Sequence, residues 1–205
     1  MAYVLGFFAA DGNMIQNKRG ACFFSIEIND RGLLRKIRRL IDSNHKISIR
    51  RKPRKQAKPQ YRLQIGNKEI FDDLLKLGFS GRKTKNLRLP NMPDKVLPHF
   101  VRGYFDGDGS VWVGIIHKDR ETQHLAIQTV FTSGCRSFLE HLSAKLEDSG
   151  IFGRVSCEKG YFRLTYSVLS SLKLAEFMYS NSTNKPFLQR KKRVFDKFLK
   201  QRMRL

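Results

Sequence analysis

The chain is short of acid. Against 40 lysines and arginines stand only 18 aspartates and glutamates, which leaves a formal net charge of +22 on 205 residues. Self-repulsion of that size gives a compact protein no stability, so the imbalance excludes an ordinary mixed-charge surface and calls for a polyanionic partner, nucleic acid first. Cysteine is scarce as well. Cys22, Cys135 and Cys157 are odd in number, scattered and without C-x-x-C spacing. This argues against a disulfide framework or a thiolate zinc site and for a reducing intracellular compartment, a bacterial cytoplasm or organelle interior, rather than secretion. No apolar run is long enough to span a bilayer, and no long amphipathic helix or lipidation signal suits a membrane surface. "YVLGFFAA" at the start has no basic region before it and runs into Asp11, so it is not read as a signal peptide. Nor does any H-E-x-x-H, histidine pair or Ser-His-Asp order appear; the five histidines are isolated.

What is present is a core and a repeat. Hydrophobic residues make up 40% of the chain, 16 of them Phe, enough for one large domain or two small ones. "GFFAADG" at 6–12 and "GYFDGDG" at 103–109 share the order Gly, aromatic, Phe, two residues, Asp, Gly, nearly half the chain apart. Each is followed by two alternating runs around a polar turn, then by helical apolar spacing, then by a second hairpin and a second helix. Gly150 is expected to close one helix, and Asn67 and Ser170 to cap two others. Each half thus reads helix, hairpin, helix, hairpin, helix, an α+β unit around an antiparallel sheet. The proline-containing link "GRKTKNLRLPNMPDKVLP" divides the chain into residues 1–94 and 95–205, a monomer that is internally a pseudo-twofold dimer and suits duplex DNA.

The two Asp-Gly ends raise an electrostatic question. As the last residues of two helices, Asp11 and Asp108 stand at the end that the helix dipole already makes negative. A divalent cation offsets that cost best, held by the two carboxylates with helix-end carbonyls of Ala10 and Gly107 in a hard oxygen cage that suits Mg²⁺, with Mn²⁺ or Ca²⁺ as substitutes. Gly12 and Gly109 are expected to take a left-handed backbone just after each helix. The small pairs Gly6/Ala10 and Gly103/Gly107, four residues apart, give each helix a flat stripe for close approach to the other. Asp106 has Ala9 as its counterpart and reads as structural.

"VLGFFAADG" and "VRGYFDGDG" resemble the two signature motifs of the LAGLIDADG homing endonucleases in their single-chain form, and the order of elements in both halves fits as well. The resemblance implies two αββαββα repeats related by a pseudo-twofold, with the motif helices at their interface and two antiparallel sheets forming a saddle on DNA. It also implies a site-specific, divalent-metal-dependent nuclease that cuts both strands and leaves 3′ overhangs, with Asp11 and Asp108 as metal-binding acids. The family places a lysine near the hydrolytic water of each half. The internal echo "FSGRK" and "FLQRK" nominates Lys83 and Lys191, with Arg82 and Arg190 beside them. A polar water-ordering residue after the second strand would be Asp30 in the first half, while Gly134 or Cys135 stands there in the second, so the two sites are expected to differ. An alternative from another class is an RNA-binding intron maturase without nuclease activity.

Recognition falls to strand and turn residues that point outward. These are Lys18, Arg19, Arg50, Lys52, Arg54 and Arg62 in the first half, and Trp112, His117, Lys118, Arg120, Gln128, Arg154, Lys159 and Arg163 in the second. Arginine reads guanine bidentately and glutamine reads adenine, while most basic side chains contact phosphate.

Overall fold

The computed structural model describes residues 1–50, 59–81, 86–116, 122–180, 182–183 and 185–202. The first repeat runs α1 (Ala2–Asp11), β1 (Gly12–Gln16), β2 (Cys22–Ile28), α2 (Arg31–Leu40), β3 (Ile47–Arg50), β4 (Gln60–Gly66) and α3 (Lys68–Lys76). After a 3-10 turn at Asp94–Val96, the second runs α4 (Leu97–Asp108), β5 (Gly109–Ile116), β6 (His124–Ser133), α5 (Arg136–Glu147), β7 (Arg154–Glu158), β8 (Tyr161–Tyr166) and α6 (Val168–Tyr179). A further helix, α7 (Gln189–Arg202), follows it. Strand order is β1-β2-β4-β3 in one sheet and β5-β6-β8-β7 in the other, antiparallel throughout, so the repeat read from seven letters extends to topology.

Local chemistry sets the boundaries. The Asn17 side chain accepts the amides of Arg19 and Ala21, and Gly20 at φ 81° completes the turn between β1 and β2. Asn67 caps α3 through the Ile70 amide, and Gly150, at φ 69°, follows α5 as its closing residue. Ser170 is not a cap: α6 begins earlier, at Val168 with Ser167 as N-cap, and Ser170 is buried inside the helix. Its neighbour Ser171 is buried too, accepting the Thr129 amide and donating to the Tyr166 carbonyl, which ties α6 to the sheet.

Each sheet turns one face to its helices. Phe24, Ile26, Leu63 and Ile65 meet a layer that includes Leu33, Leu34, Ile37 and Phe71, while Ile127, Phe131, Leu164 and Tyr166 face Phe138, Leu142, Leu174 and Met178. The alternate residues form a second, polar face on each sheet. The three cysteines are free thiols, and no helix among the described residues is long and apolar enough to cross a membrane.

By contacts the chain divides into Met1–Gly107 and Asp108–Leu205, later than the 94/95 boundary read from the prolines. The reason lies in α4, whose body packs on α1. A Cβ built on Gly103 would lie 2.8 Å from the Phe7 nitrogen and 3.0 Å from the Tyr3 carbonyl carbon; one on Gly6 would lie 2.8 Å from the Phe100 carbonyl carbon. The contacts advance from Tyr3 with Gly103 to Ala10 with Gly107, so the helices run in the same direction. Gly12 differs from the expectation: its backbone is extended, φ −76° and ψ 155°, and it opens β1. Space, not handedness, demands glycine there, because a Cβ would meet the Phe8 ring. Gly109 likewise has no left-handed φ and opens β5.

Gly103→Ala is therefore expected to lower stability by about 1–3 kcal/mol through overpacking against backbone that cannot move aside, read as a shift in the urea midpoint. A second expectation concerns alkali. Burial, and then the negative charge of Glu147, hold the Tyr166 phenol well above the ordinary tyrosine range. The folded state then keeps a proton that the unfolded chain releases, so stability is retained below the usual tyrosine value near about 10 and lost as pH rises past it. Tyr166→Phe should flatten that alkaline decline in pH-dependent melts.

Candidate active site

Both motif helices end in aspartate, at Asp11 and Asp108, and neither carries a basic residue in its last turn. Each end therefore combines the carbonyls of a helix C-terminus, the negative pole of the helix and a carboxylate. In the first unit the close approach of α1 and α4 brings Ala10 against Gly107, and the Asp11 Oδ2 lies 3.4 Å from where a Gly107 Cβ would stand. A side chain at Gly107 would therefore crowd the carboxylate. Asp106 points elsewhere. It is buried and accepts the Tyr3 hydroxyl at 2.8 Å. The Arg102 guanidinium lies over the Tyr3 ring at 5.4 Å, so Asp106 belongs to the packing between the helices.

In the second unit, Asp108 lines an open cavity of about 380 Å³ together with Thr132, Ser133, Gly134 and Tyr161. The Thr132 hydroxyl donates to the Asp108 carbonyl at 2.9 Å. Lys191, in the first turn of α7, is buried at 6% exposure, and its Nζ donates to the Gly109 carbonyl at 2.6 Å. A lysine is rarely buried without a partner, and this one is anchored to the residue that follows Asp108. Lys83, nominated for the first half, lies outside the described residues, as do Arg82, Lys52, Arg54, His117, Lys118 and Arg120.

Asp30 lies two residues beyond the end of β2 and is exposed; its Oδ1 accepts the Leu33 amide at 2.8 Å, so it caps α2. Cys135 holds the equivalent place before α5 without a side-chain cap, and the Ser133 hydroxyl accepts the Cys135 amide instead, at 3.0 Å. The two halves are thus chemically unlike at matched positions.

Cross-strand register aligns the polar faces row by row. In the first sheet Ser48, Arg62 and Glu27 form one row, and Glu27 pairs with Arg62 at 3.1 Å and Arg50 at 3.2 Å. In the second, Ser156, Arg163 and Thr132 occupy the matching row, with Arg163 reaching Glu158 at 3.5 Å. Trp112 stands opposite Gln128 and is 51% exposed, its ring lying over Gly114. Arg154 is opposite Thr165, while Lys18, Arg19 and Lys159 are at hairpin tips. Sequence reasoning missed Glu27, Gln60, Gln64, Thr132 and Tyr161 on these faces. The period of two in "QYRLQIG" carries the signal for Gln60 and Gln64, since both flank Arg62 at that spacing.

Among the described residues no group of three His, Cys, Asp or Glu is placed to hold a metal. The donors at hand are one carboxylate per motif with main-chain carbonyls, a set that suits a hard cation sharing its remaining ligands with a phosphate rather than a closed protein cage.

These repeated αββαββα units with glycine-packed, aspartate-ended helices have the fold of LAGLIDADG meganucleases, and residues 1–78 match a family model described as a LAGLIDADG-like domain. The meganuclease I-AabMI, solved bound to uncleaved DNA, is 20% identical with a TM-score of 0.60, covering 97% of this chain and 88% of that one. The homing endonuclease I-SmaMI bound to cleaved DNA is 14% identical with a TM-score of 0.62, covering 97% and 87%; I-DmoI in complex with DNA and Mn is 16% identical with a TM-score of 0.59, covering 88% and 96%. No curated protein sequence matches the chain.

Lys191→Met keeps the aliphatic stem but strands a buried carbonyl at Gly109. It should cost about 1–3 kcal/mol of stability, measured by denaturant unfolding. An unchanged midpoint would mean that the hydrogen bond contributes nothing to the fold.

Proposed function

We propose that the chain is a DNA endonuclease of the homing type, which hydrolyses both strands of a long duplex site with divalent metal and leaves 3′ overhangs. The observation that carries this reading is the pair of helices ending in Asp11 and Asp108 with no basic residue in either last turn. A carboxylate at the negative pole of a helix is favoured once a divalent cation sits on it. The solved neighbours with this fold include one bound to uncleaved DNA in the presence of calcium ions and one in complex with DNA and Mn, which supports duplex DNA as partner and a divalent cation as cofactor.

In this reading Asp11 and Asp108 hold the cations, with the carbonyls of Ala10 and Gly107 as further ligands. The bound metal supplies charge neutralisation at the scissile phosphate and an acidified water. The protein's own groups do the positioning. Thr132 fixes the backbone at Asp108 by holding its carbonyl. Lys191 donates to the Gly109 carbonyl, one residue beyond Asp108, which sets its amino group where a hydrogen-bond donor favours the negative charge that develops on the phosphate. Lys83 is assigned the same task in the first half, and Asp30 the ordering of water there. The polar faces take the duplex: Arg50, Arg62, Arg154 and Arg163 suit guanine or phosphate, Gln128 suits adenine, and the basic hairpin tips at Lys18, Arg19 and Lys159 suit the backbone.

The test is cleavage of a long randomised duplex library with Mg²⁺, with sequencing of the cut ends. The wild-type chain should cut one extended site. Asp11→Asn and Asp108→Asn should each abolish cutting or reduce it to nicks, a loss of at least about 100-fold in double-strand breaks. Uncut library from folded wild-type protein would overturn the nuclease reading and redirect attention to RNA.

A further inference from the structure

The C-terminal helix α7 is divided between two tasks. Its buried side carries Lys191, Phe195 and Phe198, which seat it in the second unit. Its exposed side carries Arg190, Arg193, Lys197 and Lys200, spaced three or four residues apart and hence on one face, with Gln189 and Gln201 beside them. No acid interrupts that face. Asp196, the helix's sole carboxylate, lies to one side of it, and both its oxygens take the Lys192 ammonium at 2.9 Å. No ion pair among the described residues involves Arg190, Arg193, Lys197 or Lys200. Four cations stacked one turn apart repel one another and weaken the helix, so the fold does not explain them.

Position says what they face. Arg193, Lys197 and Gln201 line a cleft of about 590 Å³ with Val194 and Phe198 of the same helix, and its other wall is Val111, Trp112 and Val113 of β5 with Leu125 of β6. The basic stripe therefore borders edge strand β5, from which Trp112 projects onto the polar face of the sheet. From Arg190 to Lys200 the helix rises about 15 Å, the length over which one DNA strand presents several phosphates.

We propose that this face of α7 is a DNA-backbone clamp, in which Arg193, Lys197 and Lys200 contact successive phosphates of one strand beyond the segment covered by the sheet. The assignment rests on the reading of the chain as a DNA-binding protein and adds a surface that the strands do not supply. The clamp carries no base information; it lengthens the footprint on one side and adds a salt-dependent increment to affinity.

The test compares wild type with the triple variant Arg193→Gln, Lys197→Gln, Lys200→Gln on a random-sequence duplex of roughly 40 base pairs, with affinity measured by fluorescence anisotropy across a KCl series. The slope of log affinity against log salt should become shallower by about 2–3 in the variant, which is about 0.9 for each phosphate no longer neutralised. Circular dichroism checks that the variant is folded. Should the triple variant not fold, Lys197→Gln alone keeps the test, with a change in slope of about 1. A folded variant with the wild-type slope overturns the clamp while the DNA-binding reading stands. A slope that changes on a structured RNA hairpin but not on the duplex overturns the choice of DNA as the occupant. Wild-type protein that shows no salt-dependent binding to the duplex overturns the DNA-binding reading itself.

Discussion

The close approach of two peptide backbones at Gly6 and Gly103 is the constraint on which the rest depends. A methyl group at either position would collide with the main chain of the other helix, at Phe100 or at Tyr3 and Phe7. Main chain cannot rotate aside as a side chain can, so the contact permits only glycine and fixes both separation and register. Parallel direction follows from the order of contacts, and with it the arrival of Ala10 and Asp11 beside Gly107. A helix C-terminus that ends in a carboxylate, as each motif helix does, concentrates negative charge in a chain that is otherwise overwhelmingly positive. The basic residues are spent elsewhere, on the sheet faces, the hairpin tips and α7. Under the proposed reading, a cation from solution offsets the charge at the motif helix ends and a polyanion meets the basic faces.

Around Asp108 the second unit adds its own supports. Thr132 holds the Asp108 carbonyl and Lys191 the Gly109 carbonyl, so two side chains from different elements fix consecutive residues at the exit from the motif helix. A buried lysine serves well here because its long stem spans the packed interior while its head is hydrogen-bonded to the Gly109 carbonyl. Phe195 and Phe198 on the same face of α7 hold the helix in place, which links the packing of the C-terminal helix to the geometry at the motif.

Much of this was legible from residue order alone. Both motif helices, the hairpins, the Asn67 cap and the Gly150 terminus follow from period and from turn chemistry, which are local. The role of Gly12 was not legible, because a glycine demanded by a neighbouring ring looks the same in sequence as one demanded by a positive φ. Ser170 misled for a related reason: in "YSVLSSLKLAEF" three serines could start a helix, and only the sheet contact made by Ser171 reveals that the turn begins earlier. Lys191 was reachable because the repeat supplied two aligned lysines, whereas Thr132 was hidden. Its match in the first half is Glu27, and register across four strands had to be known before the two could be compared.

Glu27 itself bears on what the two faces recognise. If the sheet face takes DNA as proposed, a carboxylate there repels phosphate, so its presence needs a reason, and its pairing with both Arg62 and Arg50 supplies one. Held from one side, the two guanidiniums lose the freedom to follow the phosphates and keep a fixed presentation, the condition for bidentate contact with a base edge. At the matching row of the second sheet Thr132 replaces the acid and turns its hydroxyl to Asp108, leaving Arg163 to a half-exposed partner, Glu158, on a neighbouring strand. Trp112 and Gln128 then add an aromatic surface and an amide, where the described strands of the first sheet carry Ile15 and Phe23 in its outermost row. One fold repeated twice thus presents two unlike chemical surfaces, and under the proposed reading they cannot favour the same bases. Under that reading, a repeated chain with such faces fits an asymmetric target: each repeat supplies one motif aspartate, and the departures from the repeat supply the reading.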